Sequence, residues 1–396
     1  MIASFNSVID LQNGREKKML NKIPTTVITG FLGAGKTTLI KHLINNAGDR
    51  KIALIINEFG DLGVDGDILK GCNDEACNQE DIIELSNGCI CCTVADDFIP
   101  TIEKLLDRNK QLDHILIETS GLALPQPLLR AFKWPEIQTR VTVDGVITVV
   151  DGKAVTEGRF ANSIEAVDNQ RKLDENLDHE TPLSELFEDQ ITCADMIVIN
   201  KSDLLTSSQI DDLLNQLKKD SREGVQVLKS EMGMLPTDVL LGQQAVAEED
   251  IEQRHEVHHH HHDDHDHEDH DHDHHDHEDH DHDHHDHEDH DHEDHDHDHH
   301  DHDDFQSFVI SIGEIDNPKE FCKSVSEVIN KHDILRLKGF MAVNGKPLRM
   351  TIQAVGPRIE TYFDRMFQKT EKRETKIVVI GQKGLDQVAI EEALKV

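Results

Sequence analysis

The sequence predicts an α/β fold on a doubly wound, mostly parallel sheet, then a small α+β domain beyond a linker with no core-forming residues. Three observations carry that expectation. Short, nearly all-apolar runs alternate with helical patterns as far as Leu228, as strands covered on both faces of a parallel sheet require. One such run passes through a glycine-rich turn straight into a helix. From His255 to Asp304 the chain is almost pure His, Asp and Glu, and ordinary patterning resumes at Phe305.

In chain order, residues 1–22 are polar and mixed in charge. They are expected to be a disordered lead, with Met19 as an alternative start of translation. Residues 23–242 form the first domain. Its strands are expected at Thr25 to Thr29, Lys51 to Asn57, His114 to Ile117, Val146 to Val150, Met196 to Ile199 and Val225 to Leu228. Helices are expected from Lys36 to Ala47 and from Ser207 to Lys219. Gly158 to Asp189 is polar and poorly periodic and reads as an insertion with a helix near its end.

Residues 243–304 are assigned to a disordered His-rich linker. Its ten-residue unit, HDHEDHDHDH, begins at His265 and again at His275. Such a segment cannot bury enough apolar area to offset its chain entropy. Residues 305–396 form the second domain. Strands are expected at Phe308 to Ile312, Leu335 to Val343, Leu348 to Val355 and Lys376 to Ile380, with helices from Pro318 to Asn330 and at the end. Asn344-Gly345 is a hairpin signal.

The net charge of −39 is not spread evenly. Between Asp263 and Asp304 stand 23 acidic residues and no Lys or Arg. Taking those 23 from the total of 79 leaves 56 acids against 40 bases, an ordinary acidic balance. Nothing resembles a nucleic-acid footprint, and no apolar run reaches the roughly 18 residues of a membrane span. Without a secretory signal, a cytoplasmic protein is expected. Five of the seven cysteines fall between Cys72 and Cys92. In a reducing compartment that clustering reads as metal or redox chemistry.

Gly30 to Thr37, GFLGAGKT, is the strongest motif, and it lies between a strand and a helix as a phosphate loop must. The backbone of Gly30, Phe31, Leu32, Gly33, Ala34 and Gly35 would cradle phosphates at a helix N-terminus. Lys36 would reach the β- and γ-phosphates, Thr37 would ligate Mg²⁺, and Thr38 continues the nucleotide-binding run. Asn200 to Asp203, NKSD, follows the strand Met196 to Ile199. Asp203 can accept two hydrogen bonds from guanine where adenine offers no such donor pair, and Asn200 and Lys201 complete the motif. Glu118 to Gly121, ETSG, ends another strand. Glu118 would hold the Mg²⁺ shell, and the Gly121 N–H would sense the γ-phosphate. Together these favour GTP over ATP and hydrolysis as the reaction.

Asn87 to Thr93, NGCICCT, sets Cys89, Cys91 and Cys92 within four residues, enough to give two or three thiolates to a soft or borderline ion. The competing reading is that small apolar thiols are simply buried. Cys72 and Cys77 bracket an acidic loop and stand open as further ligands. Cys193 and Cys322 read as core. Glu58, in NEFG after the second strand, reads as a ligand of Mg²⁺ or of the transition metal, as a switch element, or as a loop acid. The tract holds 25 of the 29 histidines, opening with the run His258, His259, His260, His261 and His262. Many weak metal sites are expected there, because neighbouring carboxylates raise imidazole basicity and let protons compete. The remaining four, His42, His114, His179 and His332, read as structural or surface residues.

GFLGAGKTT, NEFG, GCICC, ETSG and NKSD, in this order, resemble the CobW-type GTPases, whose members include chaperones for cobalt, zinc and related ions. The resemblance runs from Ile23 to the C-terminus apart from the tract; LRLKGF and QAVGPRI look like that family's C-terminal domain. NEFGDLGVDG, ELSNGCICCTVADDF and ETSGLALPQPL resemble most the cobalamin-biosynthesis members. That likeness implies a GTP-dependent Co²⁺ chaperone serving a cobaltochelatase as metal-receiving client, with Cys89, Cys91 and Cys92 as the metal motif. Thiolates suit Zn²⁺ as well as Co²⁺, so a zinc chaperone shares every motif. A nickel chaperone fits the NEFG to GCICC pattern less well, and a His-rich storage protein would show no nucleotide dependence. No counterpart of a water-positioning glutamine stands out, and oligomeric state is not legible.

Overall fold

The computed structural model describes residues 7–9, 16–18, 22–56, 82–84, 98–107, 112–161, 163, 165, 167, 182–251, 254, 305–356, 358–368 and 371–395. The strands are β1 (Ser7–Ile9), β2 (Glu16–Lys18), β3 (Ile23–Thr29), β4 (Ile52–Ile56), β5 (Ile82–Glu84), β6 (His114–Glu118) and β7 (Val141–Asp151). They continue with β8 (Met196–Asn200), β9 (Gln226–Lys229), β10 (Phe305–Ile312), β11 (Ile334–Ala342), β12 (Leu348–Val355), β13 (Arg358–Met366) and β14 (Thr375–Gln382). Among the described residues they build two seven-stranded sheets.

The first sheet has the order β5-β4-β6-β3-β7-β8-β9, and every pairing in it is parallel. Side chains alternate across a strand, so each strand feeds two cores. Val27, Ile55 and Ile117 face one cluster with Phe98, Leu128 and Phe132. Ile28, Leu54 and Leu116 face the other with Leu39, Ile40 and Leu43 of the helix Lys36–Asn45. Burial on both faces is why these strands are rich in Val, Ile and Leu, and polar side chains within them, such as Thr26, His114 and Asp144, are buried and hydrogen-bonded.

Strand β7 runs well beyond the expected Val146 to Val150. Between Thr25/Val143 and Thr26/Gly145 the register with β3 shifts, which makes Asp144 the extra residue of a bulge. Its buried carboxylate accepts from the Gln244 N–H at 2.9 Å and the Gly242 N–H at 2.6 Å. The expected linker from residue 243 therefore starts too early. Ala247 and Ile251 are buried in the first domain, and Glu248 accepts from Thr142 Oγ1 at 2.6 Å and from the Val143 N–H at 2.9 Å. Polar composition hid this segment because its polar groups are spent inward. The tract from His255 to Asp304 lies outside the described residues.

The second sheet is antiparallel, in the order β10-β14-β11-β12-β13-β1-β2. The helices Pro318–His332 and Gln387–Leu394 contribute Phe321, Val325, Ile329 and Ile390 to its core. Strand β13 was not expected, since Arg358, Glu360, Asp364 and Arg365 mask its alternation. Six residues of the expected disordered lead are strands β1 and β2 at this sheet's edge, with Val8 opposite Tyr362. Asn344 and Gly345 do turn the chain, closed by Lys346 N–H to Val343 O at 3.1 Å, although the whole connection is longer than a two-residue hairpin.

Among the described residues, contacts at Leu335, Arg336 and Arg358 join the domains. Leu335, with Phe305 and Ile380, packs on the second core of the first domain, and the Arg336 guanidinium donates to the carbonyls of Asp238 and Leu241. Arg358 reaches Asp195, where Arg254 and Arg222 also converge. A cleft of about 810 Å³ between the domains, lined in part by Arg50, His114, Arg336 and Lys338, opens at the N-terminal ends of the parallel strands. His114 itself is structural as expected: it is buried and hydrogen-bonded to Thr26 Oγ1 at 2.8 Å.

Candidate functional site

Ligands of a parallel sheet gather at the carboxyl ends of its strands. Here β3 runs into the glycine loop, β6 ends at Glu118, β7 at Asp151, β8 at Asn200 and β9 just before Ser230. Gly30 has φ +134°, and a Cβ there would lie 2.1 Å from Val149 O. Gly35 has φ +100°, and its Cβ would meet Asn200 Nδ2 at 2.2 Å. Only glycine satisfies both the backbone conformation and the space at these two positions.

The Lys36 ammonium is buried and lies across its own loop, donating to Gly30 O at 2.8 Å and Phe31 O at 3.3 Å. It stands at the N-terminus of the helix Lys36–Asn45, where the helix dipole favours anions. One residue on, Thr37 Oγ1 donates to Glu118 Oε1 at 2.9 Å. A hydroxyl and a carboxylate side by side beneath a phosphate loop are hard oxygen donors of the kind Mg²⁺ prefers. The residues present thus fit both a nucleotide triphosphate and its magnesium ion.

The ETSG turn rests on the glycine loop: a Cβ on Gly121 would lie 2.7 Å from the Leu32 backbone nitrogen. Upstream, the Thr119 N–H donates to Ile28 O and its hydroxyl to Thr29 Oγ1, both at 3.0 Å. Phosphate loop and switch turn are therefore one packed unit.

The structure redistributes roles within the expected set. Phe31 turns its ring away from the loop into a trio with Phe160 and Phe187, at centroid distances of 5.7 and 6.1 Å, so only its backbone is offered to a phosphate. Asn200 is 3% exposed and fully engaged. Its Nδ2 donates to Ala34 O at 2.9 Å and its Oδ1 accepts from the Gly233 N–H at 3.1 Å, which ties the glycine loop to the loop after β9. Lys201, in the left-handed region at φ +58°, donates from Nζ to the buried carboxylate of Asp151 at 2.6 Å. Asp203 remains exposed in the turn Ser202–Leu204.

Sequence reasoning missed Asp151, Gln190 and the loop Ser230 to Gly233, whose Ser230 carbonyl accepts from the Ser202 N–H and hydroxyl at 3.1 and 3.0 Å. The rule that strand ends carry the site would have found Asp151 and Ser230; Gln190 falls one residue past the stretch Gly158 to Asp189 that read as an insertion, in the helix Leu183–Cys193. Glu58, Cys89, Cys91, Cys92, Cys72, Cys77 and His258 to His262 lie outside the described residues. Among the described residues no group of three His, Cys, Asp or Glu side chains is placed to hold a metal ion, and no helix is long and apolar enough to cross a membrane.

A phosphate loop on a parallel sheet, a magnesium-competent Thr and Glu pair, a switch turn and NKSD at one edge define a P-loop GTPase. The chain belongs to the CobW family. The sequence model described as CobW/HypB/UreG, nucleotide-binding domain, matches residues 24–229, and the cobalamin synthesis protein cobW C-terminal domain matches residues 305–396. It is 50% identical over 376 residues to a Sinorhizobium protein named zinc chaperone CobW, covering 94% of this chain and 96% of that one. A Pseudomonas aeruginosa protein of the same name is 45% identical over 388 residues, 97% and 94% of the two chains. Against solved structures the likeness is lower: the zinc-bound YjiA GTPase of E. coli is 20% identical, with 94% of this chain and 98% of that one covered and a TM-score of 0.38.

Proposed function

We propose that this GTPase is a cytoplasmic metallochaperone that binds its metal at Cys89, Cys91 and Cys92 under control of the bound nucleotide and passes it to a client enzyme. One observation carries the reading. Glu84, Ile56 and Glu118 stand in register across β5, β4 and β6. Adjacent strands lie roughly 5 Å apart, so the exit of β5 is about 10 Å from Glu118. Cys89 follows Glu84 by five residues, a reach of at most about 17 Å. Glu58 follows Ile56 by two. Chain length from the ends of β5 and β4 therefore lets Cys89 and Glu58 reach the edge that carries Thr37, Glu118 and Gly121.

In this reading Gly30 to Thr38 hold the phosphates and Asp203 the guanine. Mg²⁺ held by Thr37 and Glu118 would neutralise phosphate charge. Gly121 and Glu58 respond to the γ-phosphate, and their ordering closes the thiolate site. Linkage requires the metal to tighten GTP binding by the same factor. Hydrolysis loosens the site and frees the ion. The tract, residues 255–304, acts as a reservoir of weak sites between two folded domains.

Zinc is the favoured cargo: thiolates take it readily, and the two relatives above carry it in their names. This displaces cobalt as the first choice. Cobalt and delivery to a cobaltochelatase stand as the second reading, favoured by the cobalamin-synthesis description of the domain at residues 305–396.

Thiol labelling tests the ligand set. Cys193 and Cys322 are free and buried; burial pushes their thiols up to about 12 and about 11. At neutral pH neither forms the reactive thiolate, so both should stay unalkylated in the native protein. Cys89, Cys91 and Cys92 should be alkylated in metal-free protein and protected by Zn²⁺ with Mg²⁺-GTP, with Cys72 and Cys77 read in the same digest. Equal labelling with and without zinc would remove these thiols from the metal site.

A further inference from the structure

We propose that Gln190 is a positioning residue for GTP hydrolysis, acting through the turn that carries Gly121; the proposal rests on the nucleotide site described above. Gln190 lies in the helix Leu183–Cys193 and is 0% exposed. Its Nε2 donates to Gly121 O and to Ala123 O, each at 3.2 Å. Both carbonyls belong to one turn, closed by the Ala123 N–H donating to Ser120 O at 3.1 Å. An amide nitrogen has two hydrogens, and this one spends both on that turn.

The other end of the side chain marks what it is for. Gln190 Oε1 is buried and has no hydrogen-bond partner among the described residues. A leucine or methionine would fill similar space without leaving a buried acceptor idle. The amide supplies a grip on the turn rather than volume.

The grip matters because of what lies opposite. Gly121 has the Leu32 backbone against its other face, so the turn is clamped between the glycine loop and the amide. The same helix also backs the glycine loop, through Phe187 against Phe31 at 6.1 Å. Without the amide, Gly121 is held from one side only. Donors that stabilise a developing charge act only when aimed to a fraction of an ångström. Turnover therefore falls before ground-state binding does.

The test is Q190L, with Q190M as a second variant closer in volume should Q190L not fold. T148V is the control. Thr148 Oγ1 donates to the Gln190 main-chain carbonyl at 2.7 Å, so its loss disturbs the same helical turn without touching the amide. The clamp predicts that Q190L lowers kcat for GTP at least about tenfold. KM and GDP affinity should stay within about threefold, and affinity for GDP with aluminium fluoride, a mimic of the transition state, should fall in step with kcat. T148V should keep kcat within about twofold. Wild-type kcat in Q190L and Q190M would overturn the proposal. So would equal losses of kcat and GDP affinity shared by T148V, which describe a role in folding alone. Normal turnover by K36A would instead overturn the nucleotide site, and the clamp with it.

Discussion

Lys36→Ala is expected to lower kcat/KM for GTP at least about a hundredfold, a loss of about 2.7 kcal/mol of transition-state stabilisation. The ammonium is held over the glycine loop by two carbonyls, at 2.8 and 3.3 Å, and those contacts aim it at the space the loop encloses. Charge in a buried place acts with less solvent screening than on the surface. Alanine at the start of a helix is well tolerated, so the thermal midpoint should move little. Steady-state phosphate release and titration with a fluorescent GDP separate the two consequences. A variant that loses turnover but binds GDP as before confines Lys36 to the γ-phosphate; one that hydrolyses GTP normally contradicts the site.

Asp195→Ala is expected to produce the largest loss of stability in the molecule, about 3–5 kcal/mol. The carboxylate is fully buried and accepts from Arg254 at 2.9 and 3.2 Å, from Arg222 at 3.3 Å, from Arg358 and from the Val146 N–H at 2.9 Å. Arg254 is itself 0% exposed, so removing Asp195 leaves a buried guanidinium with only Asp250, at 2.7 Å, as a charged partner among the described residues. Arg358 belongs to β13, so the same change weakens the contact between domains. Burial alone would raise the Asp195 pKa; Arg254, Arg358 and Arg222 outweigh it and hold the carboxyl well below the usual range. A carboxyl depressed in the folded state contributes its full stability above its unfolded pKa of about 4. That contribution is lost as pH falls from there toward the folded value. Asp195→Asn should therefore be destabilised at neutral pH and show a flatter acid limb than the parent. Denaturant midpoints across an acid series check both, and parallel acid limbs would sink the assignment.

What the sequence made legible follows from where its constraints are local. GFLGAGKT was readable because Gly30 and Gly35 admit no other residue and because strand, turn and helix follow without a gap. Glu118 and Asp203 were readable by their distance from strand ends. Gln190 was not, since nothing in its neighbours announces that its amide reaches a turn formed some 70 residues earlier. The backbone of Phe31 was legible as part of the loop, but the place of its ring was not, because three separated segments bring Phe31, Phe160 and Phe187 together. Asp144 interrupts an apolar run and so shortened β7 on paper; the fold absorbs it as a bulge whose carboxylate fixes residues 242–244. Arg254 was not singled out in the sequence: Asp250 stands four residues before it, but Asp195, its buried partner, is 59 residues away.

The most direct test of the nucleotide-gated chaperone is zinc affinity in protein lacking His258 to Asp304, measured against a competing chelator. The titration is run once with Mg²⁺ and a non-hydrolysable GTP analogue and once with Mg²⁺-GDP. The account predicts one tight site with the GTP analogue, weaker by at least about tenfold with GDP, a coupling of about 1.4 kcal/mol. It also predicts that zinc tightens the GTP analogue by the same factor. Equal zinc affinity in the two nucleotide states would contradict it.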